Sequence, residues 1–162
     1  MDFELPEEHR MLRDLVRKFV DDELVSKETM ILEREASGNG SGFSKEETAK
    51  LDDRARELGL QGLDAPAEFG GSDMPVVAMV GVNEEMGKTC SEYRFPPDSP
   101  NLRMLNIAAN KEQREKYLRP YAEGQLTSAI GISEPGGGGD PASMKTRAVL
   151  DGDHYVINGR KW

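Results

Sequence analysis

The chain has 162 residues, 36% hydrophobic and 31% charged, with a net charge of −9, which leaves room for one ordinary domain, or one and part of another, around a lean core. Its acidity argues against nucleic acid or an anionic membrane as the main partner. Its single cysteine, Cys90, excludes an internal disulfide and points to a reducing compartment. No apolar run approaches the roughly 18–20 residues that a membrane helix needs. The N-terminus, M-D-F-E-L-P-E-E, lacks the basic or Arg-rich pattern of a targeting segment, so a cytoplasmic protein is expected.

In chain order, Pro6, Glu7 and Glu8 suit a first helical turn. Met11, Leu12, Leu15, Val16, Phe19 and Val20 then recur at helical spacing, and Leu24, Val25, Ile31 and Leu32 extend the stripe into one long amphipathic helix. A flexible loop, A-S-G-N-G-S-G, follows at 36–42. Ser44 with Glu47 forms a capping box that opens a second helix over Leu51, Ala55 and Leu58, and Gly59 is placed to end it. The stretch 58–71 is rich in both glycine and apolar residues and is expected to pack rather than wave. Pro75 opens a third helix through Met86 that is apolar nearly all round, which predicts a buried central helix. After a connection over 91–100, a fourth helix carries Leu102 to Ala108, and Asn110 with Gln113 caps a fifth running towards Tyr121.

The period changes after Gly124. Leu126, Ser128, Ile130 and Ile132 alternate as a strand does, Met144 to Leu150 and His154 to Ile157 predict two more, and Asp151-Gly152 and Asn158-Gly159 read as turns. Arg160 to Trp162 begin a fourth strand, so the sequence reads as stopping inside a sheet. Between the first two predicted strands lies I-S-E-P-G-G-G-G-D, Ile132 to Asp140. Four glycines in a row exceed what a plain turn uses. They read either as a backbone nest for a ligand's phosphates or as a flexible surface loop. A phosphate-bearing ligand is compatible with the acidic composition, because nests and helix ends bind anions without net positive charge.

These parts, in this order, resemble the acyl-CoA dehydrogenase family. The resemblance rests on F-E-L-P-E-E-H-R-M-L-R-D (Phe3 to Asp14), L-G-L-Q-G-L-D-A-P-A-E-F-G-G (Leu58 to Gly71) and N-K-E-Q-R-E-K-Y-L-R-P (Asn110 to Pro120). It is strongest at the glycine motif and at D-G-D-H-Y-V-I-N-G-R-K-W (Asp151 to Trp162). It implies a mainly α fold with a partial β domain: a bundle of about five to six helices at 1–124, then the first strands of a β-barrel at 125–162. Flavin adenine dinucleotide (FAD) is the implied cofactor and an acyl-CoA the implied substrate. By position, Ile130, Ile132 and Ser133 resemble the backbone and hydroxyl contacts to the flavin ring. Gly136 to Gly139 resemble the turn beside the cofactor and the pantetheine–phosphate mouth. Gly138 and Gly139 are thus cofactor candidates, Gly139 also a substrate candidate, and Trp162 resembles the aromatic residue lying against the flavin. Gly139 stands where the family usually has Ser or Thr, a lost hydrogen bond worth on the order of 1 kcal/mol.

The implied reaction is α,β-dehydrogenation of an acyl thioester, in which a carboxylate of raised pKa takes the α-proton. No residue of 1–162 is a candidate for that base; the resemblance places it, a glutamate, in a C-terminal half that this sequence lacks. Glu134, beside Pro135 at a strand end, reads instead as fixing the corner by hydrogen bonds. The resemblance leaves room for a flavoprotein electron acceptor and implies a homo-oligomer for a full-length chain. A P-loop fails because Asp140 follows the glycines, and a Rossmann fingerprint fails because Pro141 and a strand pattern come next. No metal is expected, since His9, His154 and Cys90 lack paired spacing. Two other readings stay open: a truncated or split-gene helical interaction module without catalysis, and a superfamily acyl-CoA oxidase or monooxygenase.

Overall fold

The computed structural model describes residues 4–97 and 99–162. Phe3, where the first resembling segment starts, and Asp98, in the 91–100 connection, lie outside the described residues. The chain divides into two compact units, Met1–Thr127 and Ser128–Trp162. The architecture is mainly helical with a two-stranded sheet.

In the first unit, α1 (Glu7–Phe19) does not continue smoothly into α2 (Glu28–Ala36): a π-helical turn, Val20–Leu24, and a 3₁₀ turn, Val25–Lys27, intervene. The single long helix expected from the apolar stripe is therefore helical throughout but changes its winding at Val20. The stripe still buries Val16, Phe19, Val20, Leu24 and Ile31, because successive turns keep returning these residues to one side. α3 (Lys45–Glu57) starts at a complete capping box, with the Glu47 amide donating to Ser44 Oγ at 3.2 Å and the Ser44 amide to Glu47 Oε2 at 2.7 Å. It ends in a Schellman motif: Gly59 takes φ +71°, and the amides of Leu60 and Gly59 donate to Ala55 O and Arg56 O.

The 58–71 stretch packs, as its composition predicts. Leu60, Leu63, Ala65 and Phe69 are buried, and the amides of Ser72, Asp73 and Met74 fold back onto the carbonyls of Gly62, Ala65 and Leu63. α4 (Val76–Met86) departs from expectation. Ala78, Met79, Val82 and Met86 are buried, but Val76, Val77 and Val80 are 52–62% exposed. Only one face of this helix meets the core within the described residues, so an all-round apolar sequence gives here a half-buried helix. Across that inner face Glu85, 1% exposed, receives Arg17 of α1 at 2.9 Å and Lys88 at 2.5 Å, an ion-paired arrangement that satisfies a buried carboxylate.

α5 (Ser99–Ala108) precedes a second capping box at Asn110 and Gln113, which opens α6 (Lys111–Gln113). A π turn at Arg114–Leu118 then leads into α7 (Arg119–Ala122). One core joins α1, α3 and α4 through Phe19, Leu51 and Met79; a second gathers Phe69, Leu102, Leu118 and Tyr121.

In the second unit, β1 (Arg147–Asp151) and β2 (His154–Asn158) pair antiparallel, Arg147 opposite Asn158 and Asp151 opposite His154. The turn is Gly152-Asp153, one residue later than the Asp151-Gly152 expectation, with Gly152 at φ +64° in the first turn position. Three expectations fail. Residues 126–133 join no ladder, since no partner strand among the described residues offers them a hydrogen-bonding edge. Residues 160–162 join none either; the Trp162 amide makes a single bond to Ser133 O at 3.0 Å. Asn158-Gly159 is not a turn. A side chain at Gly159 would meet Thr146 Oγ1 at 2.1 Å, so this glycine permits close approach of two backbones.

Candidate functional site

The glycine motif borders a hollow of about 440 Å³ within the second unit, lined by Ile132, Ser133, Glu134, the Gly137–Gly139 run, Asp140 and Met144 among others. Its rim is built by a turn. Pro135 fixes φ, Gly136 adopts φ +78°, and the Gly137 amide donates to Glu134 O at 3.0 Å, the pattern of a type II turn. Gly138 and Gly139 are of another kind. Neither has left-handed φ, and a Cβ on either would meet nothing within 4 Å. Their freedom is not spent on the turn, and their backbone stays open to an approaching molecule. Asp140 is committed: Oδ1 accepts the Ala142 amide at 3.0 Å and caps the 3₁₀ turn Pro141–Ser143.

Glu134 is the anchor beneath this rim. It is 7% exposed and accepts the Lys145 amide at 2.6 Å and the Thr146 amide at 3.0 Å, with Lys161 Nζ at 3.0 Å. The Thr146 side chain beside it, then the Lys145 amide, the Lys161 ammonium and the Thr146 amide hold this carboxyl down to about 2, far below the ordinary carboxylate value. Lys161 also donates to Ile132 O at 2.9 Å. One cation thus ties the Ile132–Glu134 segment to the chain end.

Of the residues singled out from sequence, Ile132, Ser133, Gly138 and Gly139 lie around the one hollow. Ile130 and Trp162 do not line it; they are 57% and 76% exposed, and the Trp162 ring lies under the Arg160 guanidinium at 5.6 Å. Ser133 is exposed, and among the described residues its amide and hydroxyl make no hydrogen bond, which leaves two donors beside the hollow. Sequence reading missed Lys161 and Thr146. The signal was available only as a demand: a buried carboxylate at a corner needs donors, but nothing in the sequence says which.

In the helical unit a second hollow of about 330 Å³ lies between α4 and the 63–64 and 94–97 segments. No group of three or more His, Cys, Asp or Glu suited to a metal occurs among the described residues, and no described helix is long and apolar enough to cross a membrane.

Residues 6–125 match the family described as Acyl-CoA dehydrogenase, N-terminal domain. The chain belongs to the acyl-CoA dehydrogenase family. It is 37% identical over 169 residues to (R)-benzylsuccinyl-CoA dehydrogenase of Thauera aromatica, covering 99% of this chain and 42% of that protein. Among solved structures it resembles a putative acyl-CoA dehydrogenase from Mycobacterium abscessus, with a TM-score of 0.79 and 31% identity over 99% of this chain and 42% of the other. It also resembles an acyl-CoA dehydrogenase complexed with FAD from Bacillus anthracis, with a TM-score of 0.67 and 25% identity over 98% of this chain and 26% of that one. The chain therefore spans about two-fifths or less of the length of these acyl-CoA dehydrogenases.

Proposed function

We propose that these residues form the helical part and the opening of the β part of an FAD-dependent acyl-CoA dehydrogenase, a protein that performs α,β-dehydrogenation of an acyl-CoA thioester. The observation that carries the reading is the hollow at the glycine motif, where Ser133 offers two unspent donors beside the open backbone of Gly138 and Gly139. These features fit a flavin, whose ring edge is rich in acceptors. When bound, FAD would supply the hydride-accepting chemistry. Ile132 and Ser133 would hold and orient its ring edge, with Ile130 and Trp162 as neighbouring contacts, and Gly139 would leave room for the substrate's thioester arm.

No general base is offered here. The carboxylates at this hollow are Glu134 and Asp140. Glu134 is held at about 2, the opposite of the raised pKa that proton abstraction needs, and Asp140 is engaged as a cap. The base and the remaining cofactor contacts belong to residues outside this sequence, as would a subunit interface and a flavoprotein electron acceptor. We place the domain boundary near residue 124 and the protein in the cytoplasm. The relatives named above are dehydrogenases, and nothing in the fold favours an interaction module, an oxidase or a monooxygenase.

Titration of the chain with FAD, followed by amide resonances, tests this reading. Shifts at Ile132, Ser133, Gly138 and Gly139, reduced in Ser133→Ala, are expected; shifts absent from all four would sink it. Dye-coupled oxidation of an acyl-CoA by these residues alone would overturn the assignment of the base elsewhere.

A further inference from the structure

The bonds made by the end of the sequence converge on one peptide group. Ile132 and Ser133 share a trans peptide, so the Ile132 carbonyl and the Ser133 N–H project from opposite edges of one plane. The carbonyl is taken: it accepts Lys161 Nζ at 2.9 Å. The N–H is not, since among the described residues it meets no acceptor. The next carbonyl, that of Ser133, accepts the Trp162 amide at 3.0 Å. Residues 161 and 162 thus hold two successive carbonyls, and the Ser133 N–H is left turned away from Lys161. The same ammonium lies 3.0 Å from Glu134 Oε1 and 3.3 Å from Met144 Sδ. Ile132, Glu134 and Met144 all line the hollow of the second unit, yet no Lys or Arg among the described residues does. Lys161 therefore acts on the hollow from behind its lining.

We propose that Lys161 is a positioning residue for the flavin: it orients the Ser133 N–H towards the ring edge and strengthens that N–H as a donor through the peptide they share. The inference rests on the FAD reading and adds to it a residue that does not itself touch the cofactor. An ammonium on a carbonyl makes a charge-assisted bond, roughly twice as strong as a neutral one. Hydrogen bonds in a chain polarise one another, so a carbonyl that accepts from a cation makes the N–H of its own peptide a better donor. Glu134 offsets the ammonium only in part, because its carboxylate is shared with the Lys145 and Thr146 amides. The acceptors of a flavin ring edge gain electron density when the ring is reduced. A donor strengthened in this way therefore favours the reduced form, whereas an uncharged brace of similar shape would orient the N–H with much less of that preference.

Oxidised FAD, and FAD reduced anaerobically with dithionite, are titrated separately into the full chain. Binding is read from the amide resonances of Ile132, Ser133, Gly138 and Gly139. The parent is expected to bind the reduced form about fivefold more tightly than the oxidised one. Lys161→Gln keeps a donor but no charge, and should bring the two affinities within about twofold of each other. Lys161→Arg keeps the charge and should retain most of the preference. The amide resonances of β1 and β2 report whether each variant keeps its fold. Equal affinities in the parent, which no folding defect of a variant can explain, overturn the proposal. So does a preference that survives unchanged in Lys161→Gln, or one that is lost in a folded Lys161→Arg. Each of these results leaves the FAD reading standing. If neither form of FAD moves any of the four resonances, the FAD reading itself falls, and the part given to Lys161 falls with it.

Discussion

Lys161 Nζ sits 3.0 Å from Glu134 Oε1 and also donates to Ile132 O, so one side chain close to the end of the sequence holds the Ser-Glu-Pro corner and the backbone leading into it. Removing the cation should therefore be felt first in the titration of its partner. In Lys161→Met the Glu134 midpoint is expected to rise above its value of about 2. It should stay below the ordinary carboxylate value, because the Thr146 and Lys145 groups that contribute most remain. A side-chain carboxyl ¹³C titration reads this directly. An unmoved midpoint would show that the ion pair does not form in solution.

The same depression carries a prediction about acid. Glu134 and Glu47 both have folded pKa values held at about 2; for Glu47 the causes are the Arg34 guanidinium first and then the Ser44 amide. A carboxyl whose folded pKa is lowered contributes stability in full above its unfolded value and loses it as pH falls towards the folded one. Both contributions should therefore be present at neutral pH and disappear between roughly pH 4.5 and 2. The two units can be followed separately, because Trp162 is the single tryptophan and lies in the second. Glu134→Gln should flatten the acid limb read by tryptophan fluorescence, and Glu47→Gln the limb read by helical circular dichroism. Acid limbs identical to the parent would contradict the assignment.

The helical half of this fold was legible because local rules suffice there. Ser44 with Glu47, Asn110 with Gln113 and Gly59 each act within a few residues, and each does what its spacing predicts. The failures share a different cause. Alternation at Leu126 to Ile132 makes a strand only where a neighbouring edge pairs with it, and none does among the described residues. The all-round apolar pattern of α4 reports what the helix tolerates, not which face meets a partner, so Val76, Val77 and Val80 stand outward. At the glycine motif, the sequence located the corner and assigned Glu134 a structural part. Lys161, 27 positions further on, could not be linked to it by any local rule.

Ser44→Ala tests the best-formed cap. The substitution removes the acceptor of the Glu47 amide but leaves the Glu47 carboxylate on the Ser44 amide and on Arg34, which donates to it at 2.8 and 2.9 Å. With half of the box retained, the cost should fall near the middle of the range for N-caps, about 1 kcal/mol. For a chain of this size that lowers the melting temperature by about 2–4 °C. Thermal denaturation followed at 222 nm checks it, and a loss far beyond this range would mean that Ser44 supports more than α3.

Two glycines put two different uses of the same residue to the test. A Cβ at Gly71 would lie 2.1 Å from Ala65 O, in a loop whose backbone is pinned by the bonds of Gly71, Ser72 and Asp73. Gly71→Ala cannot be relieved by rotating a side chain and should cost about 1–3 kcal/mol, as overpacking does. Gly138 has open space and no left-handed φ. Gly138→Ala should therefore leave stability unchanged or raise it by about 0.4–1 kcal/mol through the unfolded chain. If that glycine exists to let a cofactor approach, the added methyl should nevertheless weaken the FAD-induced shifts at Ile132 and Ser133. Urea denaturation and the FAD titration, run on both variants, give four readings. A Gly138→Ala chain that is as stable as the parent and equally responsive to FAD would show that the glycine run is a turn with spare residues.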